Sequence, residues 1–362
     1  MAAASRPAGA SRLKKRRRTG NGGGDCPVRS AASEAGAVVW SSVSATIAII
    51  PSFNGLARLR QNLPALLAQS LPFARVLVID DGSDDGSVEA LRARGDVEVL
   101  SLGRNRGFAA AANAGIARAL EDPATDAIAL VNNDVELDRD WHGAAVAVLF
   151  ADPRRGACAT CLLRADAPER VDSAGIEWRA PGWADNFLTG APAPADPTPR
   201  AVLGASAGAA LYRRELFEDV GLFDESLVMY QEDVDLALRA RRAGWSAALA
   251  PAARGRHAGG SSNRPFPLGG SWADYWNARN RLPVLVAALD GADWQRSWWP
   301  IVAAQARHLL ASVRERRAPA VLAGTARALT RLPGALRKRR QDPRSSARQT
   351  SSARRRWTAG RV

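Results

Sequence analysis

The chain has 362 residues, 46% hydrophobic and 24% charged, the balance of a soluble globular protein; no run reaches the roughly 18 uninterrupted apolar residues that a membrane-spanning helix needs. Its net charge of +14 sits at the ends. Residues 1–45 hold eight Lys and Arg against two acids and residues 307–362 hold sixteen against two, whereas 46–306 hold 26 against 32. A nucleic-acid-binding body would carry its basic residues on the folded part, so this distribution argues against that class.

The first 44 residues include "RLKKRRR" (Arg12–Arg18) among Ala, Gly and Ser. Such a composition cannot bury enough surface to fold and reads as a disordered arm. The arm can serve as a solvated tail, as an electrostatic tether worth roughly 1 kcal/mol per basic residue near acidic lipid, or as a polyanion ligand. No apolar signal core follows it, so a cytoplasmic location is expected, with peripheral contact to the inner membrane face as an option. Cys26, Cys158 and Cys161 fit a reducing compartment. "CATC" (158–161) lacks a second Cys/His pair at zinc spacing and lies in a strand-like apolar run, which predicts packing rather than metal or redox work.

From Thr46 short apolar runs alternate with helical patterns. "TIAIIP" (46–51) predicts a strand, "LARLRQNLPALLAQS" a helix, "RVLVID" (75–80) a strand, "GSVEALRAR" a helix, "VEVLSL" a strand, "FAAAANAGIARAL" a helix and "AIALVN" a strand. Repeated βα units with continuously apolar strands predict an α/β, Rossmann-like fold: a mainly parallel sheet with helices on both faces. Past residue 150 the periodicity weakens, and "APAPADPTPR" (191–200) reads as a Pro-rich loop. A helix is expected over about 271–288. Two further amphipathic helices with Arg on one face are expected in "WQRSWWPIVAAQARHLL" and "VLAGTARALTRL", followed by a basic tail.

In such sheets ligands bind beyond the carboxyl ends of the strands. Each strand here ends in polar residues: Ser52, Phe53 and Asn54, then Asp80 and Asp81, then Asn132, Asn133 and Asp134. An EF-hand begun at Asp81 finds Arg92 where Glu is needed, which excludes that calcium loop, while Asp84, Asp85 and Ser87 suit turn formation and helix capping. Asn-x-Asp at a strand end suits a hard divalent ion that keeps positions open for a diphosphate. "YQEDVD" puts Glu232, Asp233 and Asp235 in one first helical turn, more carboxylate than dipole compensation requires. His257, one of three histidines, precedes a glycine-rich loop; alone it reads as structural, and beside a carboxylate-rich site as a metal or phosphate ligand.

The segments "IAIIPSFNG", "VIDDGSDDGS", "NRGFAAAANAGI", "LVNNDVELD", "GAALYRRELFEDVGLFDE", "YQEDVDLALRARRAGW" and "YWNARNRL" occur in one order over residues 45–285. Together they resemble the family 2 inverting glycosyltransferases of the GT-A fold, in particular the rhamnosyltransferase-like branch of cell-surface polysaccharide biosynthesis. The resemblance implies a nucleotide-binding half over 45–135, an acceptor half over 136–285, C-terminal amphipathic helices over 286–335 and a basic tail over 336–362. It implies a nucleotide-sugar donor, dTDP-rhamnose or similar, and a glycan or lipid-linked acceptor. Pro51, Ser52, Phe53, Asn54, Asp80, Asp81, Asn105, Gly107, Asn113, Asn132 and Asn133 would bind the donor. Asn132 and Asp134, with His257, would hold Mg²⁺ or Mn²⁺; the family often has Asp where Asn132 stands. Asp233 would be the catalytic base with Glu232 its partner, and Arg279 would face acceptor or phosphate, unless it is simply a helix-surface residue.

Other classes fit less well. A non-enzymatic polyanion binder conflicts with the acidic body. A sugar-phosphate nucleotidyltransferase would need a basic, glycine-rich loop after the first strand, where "PSFNGLARLR" stands, and a nicotinamide dehydrogenase would need G-x-G-x-x-G there.

Overall fold

The computed structural model describes residues 45–179, 183–259, 264–289 and 291–341. The expected disordered arm (1–44) and the tail beyond 341 lie outside the described residues. Strands β1 (Ala45–Ser52), β2 (Arg75–Asp80), β3 (Glu98–Ser101) and β4 (Thr125–Val131) alternate with helices α1 (Leu56–Leu67), α2 (Ser87–Arg94) and α3 (Phe108–Leu120). Side chains alternate across a strand, so Ile47 and Ile49 join the layer of Ala109, Ala112 and Ile116 from α3, while Ala48 and Ile50 join Leu59 and Leu63 of α1 on the other face. Burial on both faces makes these strands continuous apolar runs, and β1 pairs in parallel with β2 and β4, and β2 with β3, as expected.

The second half folds back into the same sheet. It comprises β5 (Val135–Leu137), α4 (Trp141–Phe150), β6 (Arg155–Arg164), β7 (Val171–Ser173), β10 (Arg200–Val202), β11 (Ala209–Arg213), α5 (Arg214–Val220), α6 (Glu232–Arg242) and β12 (Ser246–His257); β8 (Ile176–Arg179) and β9 (Trp183–Asn186) form a separate hairpin. The strand order is β10-β12-β6-β11-β4-β1-β2-β3, with β11 antiparallel to both β4 and β6. Cys158 and Cys161 lie buried in β6, and burial pushes the Cys158 thiol up to about 12, a packing role.

Three helices follow β12 among the described residues: α7 (Trp272–Ala288), α8 (Gly291–Arg314) and α9 (Ala318–Gln341). A capping box between Ser271 and Asp274 starts α7. Helix α9 lies close along α7, since a Cβ at Gly324 would come within 2.4 Å of the Tyr275 carbonyl. It continues past residue 335, where the helical region was expected to end. Val284 and Leu285 of α7 and Ile301 of α8 share a core with Val234 and Leu238 of α6. Among the described residues no helix is long and apolar enough to cross a membrane.

Candidate active site

The carboxyl ends of β1, β2 and β4 are neighbours, with Ser52 in register with Asp80. Asn133 Nδ2 donates to Ser52 Oγ (2.9 Å), and Asn62 Nδ2 donates to the Asn133 carbonyl (2.8 Å). Gly55 makes this approach possible, because a Cβ there would sit 2.2 Å from Asn133 Nδ2. The Asn54 N–H donates to Ser83 Oγ and its Oδ1 accepts from the Asp84 N–H, tying the loop after β1 to the loop after β2. Asp85 accepts from the N–H groups of Leu56 and Ser87, the turn-forming role expected of it.

The rim carboxylates shape the floor of the site. Asp80 accepts from the Gly82 and Ser83 N–H groups and from Ser101 Oγ. Asp81 accepts from the N–H groups of Arg106 (2.7 Å) and Gly107 (2.8 Å); burial pushes its pKa up and these donors pull against that. Pro51 is buried, Asn105 is exposed, and Phe53 is 43% exposed, available for stacking. Gly107 takes φ +89 against Val228, whose Cγ1 would be 2.5 Å from any added Cβ. Asn113 is turned inward: its Oδ1 accepts from the Phe223 N–H and its Nδ2 donates to the Phe223 carbonyl and Glu225. It braces the segment leading to α6.

At the end of β4, Asp134 is buried between two cationic groups. Arg58 Nη1 lies 2.6 Å from its Oδ2, and His257 Nε2 lies 3.2 Å from its Oδ1. His257 Nδ1 in turn meets Asp172 Oδ2 at 2.8 Å. Burial works against both charges, yet His257 and Arg58 hold Asp134 below the usual carboxylate range, and Asp134 and Asp172 push His257 up to about 9. Asn132 Oδ1 is a buried acceptor without a hydrogen-bond partner. An amide oxygen, a carboxylate and an imidazole aimed by a second carboxylate are ligand types that suit a divalent ion. Among the described residues no three His, Cys, Asp or Glu side chains converge as a ready ligand group.

Helix α6 presents the paired carboxylates. Asp233 Oδ2 accepts from the Ala207 N–H (3.3 Å) and its Oδ1 from the Val234 N–H (2.8 Å), while the neighbouring Gly208 carbonyl accepts from the Asn132 N–H (2.9 Å). Asp233 is thereby linked to the end of β4 through two adjacent residues. Glu232 is buried with Oε2 unpartnered, and desolvation followed by the charge of Asp233 pushes it up to about 8. Desolvation also raises Asp233, against its two backbone donors. Of the pair, Asp233 is the one equipped to stay ionised while Glu232 keeps a proton. Asp235 is structural, pairing with Arg239 (2.8 Å), which donates to the Val220 and Leu222 carbonyls.

The turn into α6 is strained and clamped. Val228, Tyr230 and Gln231 all have positive φ (69°, 62° and 71°). Asn280 of α7 is fully buried, and its single Nδ2 donates to the carbonyls of Leu227 (2.8 Å), Met229 (2.9 Å) and Tyr230 (2.9 Å). Arg279 is not a helix-surface residue. It is 8% exposed, lies over Trp276, and donates to Asn280 Oδ1 (2.6 Å) and the Ser226 and Leu227 carbonyls, so it braces this clamp from behind. Sequence reasoning missed Arg58, Asp172 and Asn280. "NARNRL" contained Asn280 without marking it, and nothing in the sequence ties Arg58 to a carboxylate 76 positions away.

Residues 47–221 match the model described as glycosyl transferase family 2. The chain carries a family 2 glycosyltransferase domain. It is 29% identical over 244 residues to the N-acetylglucosaminyl-diphospho-decaprenol L-rhamnosyltransferase of Mycobacterium tuberculosis, in strains CDC 1551 and H37Rv alike, covering 62% of this chain and 76% of that protein. The GT-A fold is shared with the crystal structure of GalNAc-T7 with UDP, GalNAc and Mn²⁺, at TM-score 0.52 and 17% identity. That alignment covers 68% of this chain and 48% of the other, so the chain spans about half the length of that protein.

Proposed function

We propose that this glycosyltransferase moves a sugar from a nucleoside-diphosphate donor, dTDP-rhamnose or a close analogue, to a glycan or lipid-linked acceptor of a cell-surface polysaccharide, with inversion. The observation that carries it is the link from Asp233 through Ala207 and Gly208 to Asn132, which supports an ionisable carboxylate acting next to the strand end where we place the donor diphosphate. The rhamnosyltransferase relative, named for an acceptor with diphosphate and decaprenol, supports the choice of sugar and acceptor class.

In this reading Asp233 accepts the proton of an acceptor hydroxyl while that oxygen bonds to the anomeric carbon. The bond from that carbon to the diphosphate breaks, the nucleoside diphosphate leaves with the electron pair, and a single displacement inverts the centre. Ser52, Asn54 and Asp81 order the loops that receive the nucleotide, with Phe53 offering a face to the base. Asn132, Asp134 and His257 would hold a divalent ion, Mn²⁺ or Mg²⁺, whose chemistry when bound is to offset charge on the leaving diphosphate. The test is transfer from a panel of nucleotide sugars to a pyrophosphoryl-polyprenol GlcNAc acceptor. Turnover with dTDP-rhamnose and inverted product is expected; turnover confined to UDP-hexoses would move the donor assignment, and none with any nucleotide sugar would overturn the reading.

A further inference from the structure

The two C-terminal helices expose more apolar surface than their packing uses. On α8, Trp298 (51%), Trp299 (63%), Val302 (50%), Leu310 (67%) and Val313 (60%) are exposed. At 3.6 residues per turn they fall within about 120° of the helix circumference, and Arg296, Arg307 and Arg314 follow at one margin of that arc. On α9, Leu322 (51%), Leu329 (55%) and Leu336 (45%) recur every seven positions and so within about 40° of one another. Scattered apolar residues need no explanation, but an exposed apolar stripe on each of two touching helices does.

Charge decides what covers them. From Gly291 to Gln341 the helices and their linker carry eleven Lys and Arg against two acids, Asp293 and Glu315, the latter paired with Arg317. A second copy laid on this face would bring like charges together. A protein partner of mixed charge would leave most of the arginines unmatched. A bilayer with acidic headgroups matches both components, because tryptophan settles at headgroup depth, Leu and Val enter the acyl boundary, and arginine meets lipid phosphate. With no membrane-crossing helix among the described residues, the fit is a helix pair lying in the interface plane.

We infer that α8 and α9 form a docking face for acidic membrane, independent of which sugar is transferred. The face is mechanically joined to the site. Arg331 of α9 donates to Ser226, Lys338 pairs with Asp224, and α9 packs along α7, whose Asn280 clamps the turn into Glu232 and Asp233. Docking would thus hold the base one helix away from the surface where a lipid-linked acceptor lies.

The test is sedimentation of the full chain with vesicles of phosphatidylcholine alone or with 30 mol%, about a third, phosphatidylglycerol, with no donor present. Binding to the acidic vesicles is expected, with release at roughly 1 M salt as the Debye length shrinks to about 3 Å. Trp298→Gln combined with Leu310→Gln, and separately Arg307→Gln with Arg314→Gln, should each weaken binding about tenfold or more while circular dichroism stays unchanged. Equal binding to both vesicle types, binding to neither, or binding unaffected by both double variants would overturn the inference. So would a dimer in analytical ultracentrifugation that the Trp298→Gln/Leu310→Gln variant dissolves. Vesicle binding without sugar transfer would instead count against the proposed function and leave this inference standing.

Discussion

Asp233 and Glu232 are neighbours whose surroundings divide their labour, and substitution should separate them. Asp233→Asn keeps an acceptor oxygen for only one of the two backbone N–H groups and cannot take a proton; transfer should fall about a hundredfold or more with donor affinity nearly unchanged. Retained turnover would remove Asp233 from the mechanism. Glu232 rises on folding from 4.5 to about 8, so the folded state holds a proton that the unfolded chain has released. Its stabilising contribution is complete below pH 4.5 and drains away as pH rises through about 8. Glu232→Gln should therefore flatten the decline in Tm across that window, gaining several degrees on the parent at its alkaline end; parallel Tm curves for the two proteins would contradict it. Asp134 carries the metal proposal. Asp134→Ala should abolish the Mn²⁺-dependent part of donor binding in calorimetry, and Asn132→Asp should strengthen it by adding a ligand charge. Chelator-insensitive donor binding in the parent would count against the ion.

Among the elements, the contact of α7 with the turn before α6 does most to place Asp233, the base proposed above. Asn280→Ala would take a donor from the Met229 and Tyr230 carbonyls, while the Leu227 carbonyl keeps Arg279 and the Met229 N–H, at a cost of about 1–3 kcal/mol, and should lower kcat more than it raises KM. Asn280→Asp, which adds a carboxylate facing those carbonyls, should be worse on both counts; a variant of either kind with parent kinetics would reduce Asn280 to a packing residue. The first half of the fold was legible because parallel strands buried on both faces write themselves as unbroken apolar runs, and helices with Leu59 and Leu63 or Ala112 and Ile116 keep a helical period. The second half was not, because β6, β11 and β12 are recruited from distant segments and their pairing depends on long-range register. The polar strand ends marked the candidate site for the same reason that they punctuate the strands. Asn280 stayed hidden because a buried clamp and a solvated amide share one letter.

At the scale of the molecule, an acidic body bears a basic, apolar-striped helix pair, and the strained turn at 228–231 is held by α3 and α7 while α9 holds the residues just before it. Three left-handed non-glycine residues cost on the order of 1 kcal/mol or more each, and they persist because α3, α7 and α9 all press on the segment. Gln231→Gly should raise Tm by a few degrees while lowering kcat, since the turn would then sample conformations that misaim α6. A lower Tm with unchanged kcat would show that the turn is relaxed as it stands. The same feature sets selection for heat tolerance against selection for turnover. A screen that rewarded only thermal survival would accumulate glycines at Val228, Tyr230 and Gln231 and end with a durable, idle protein.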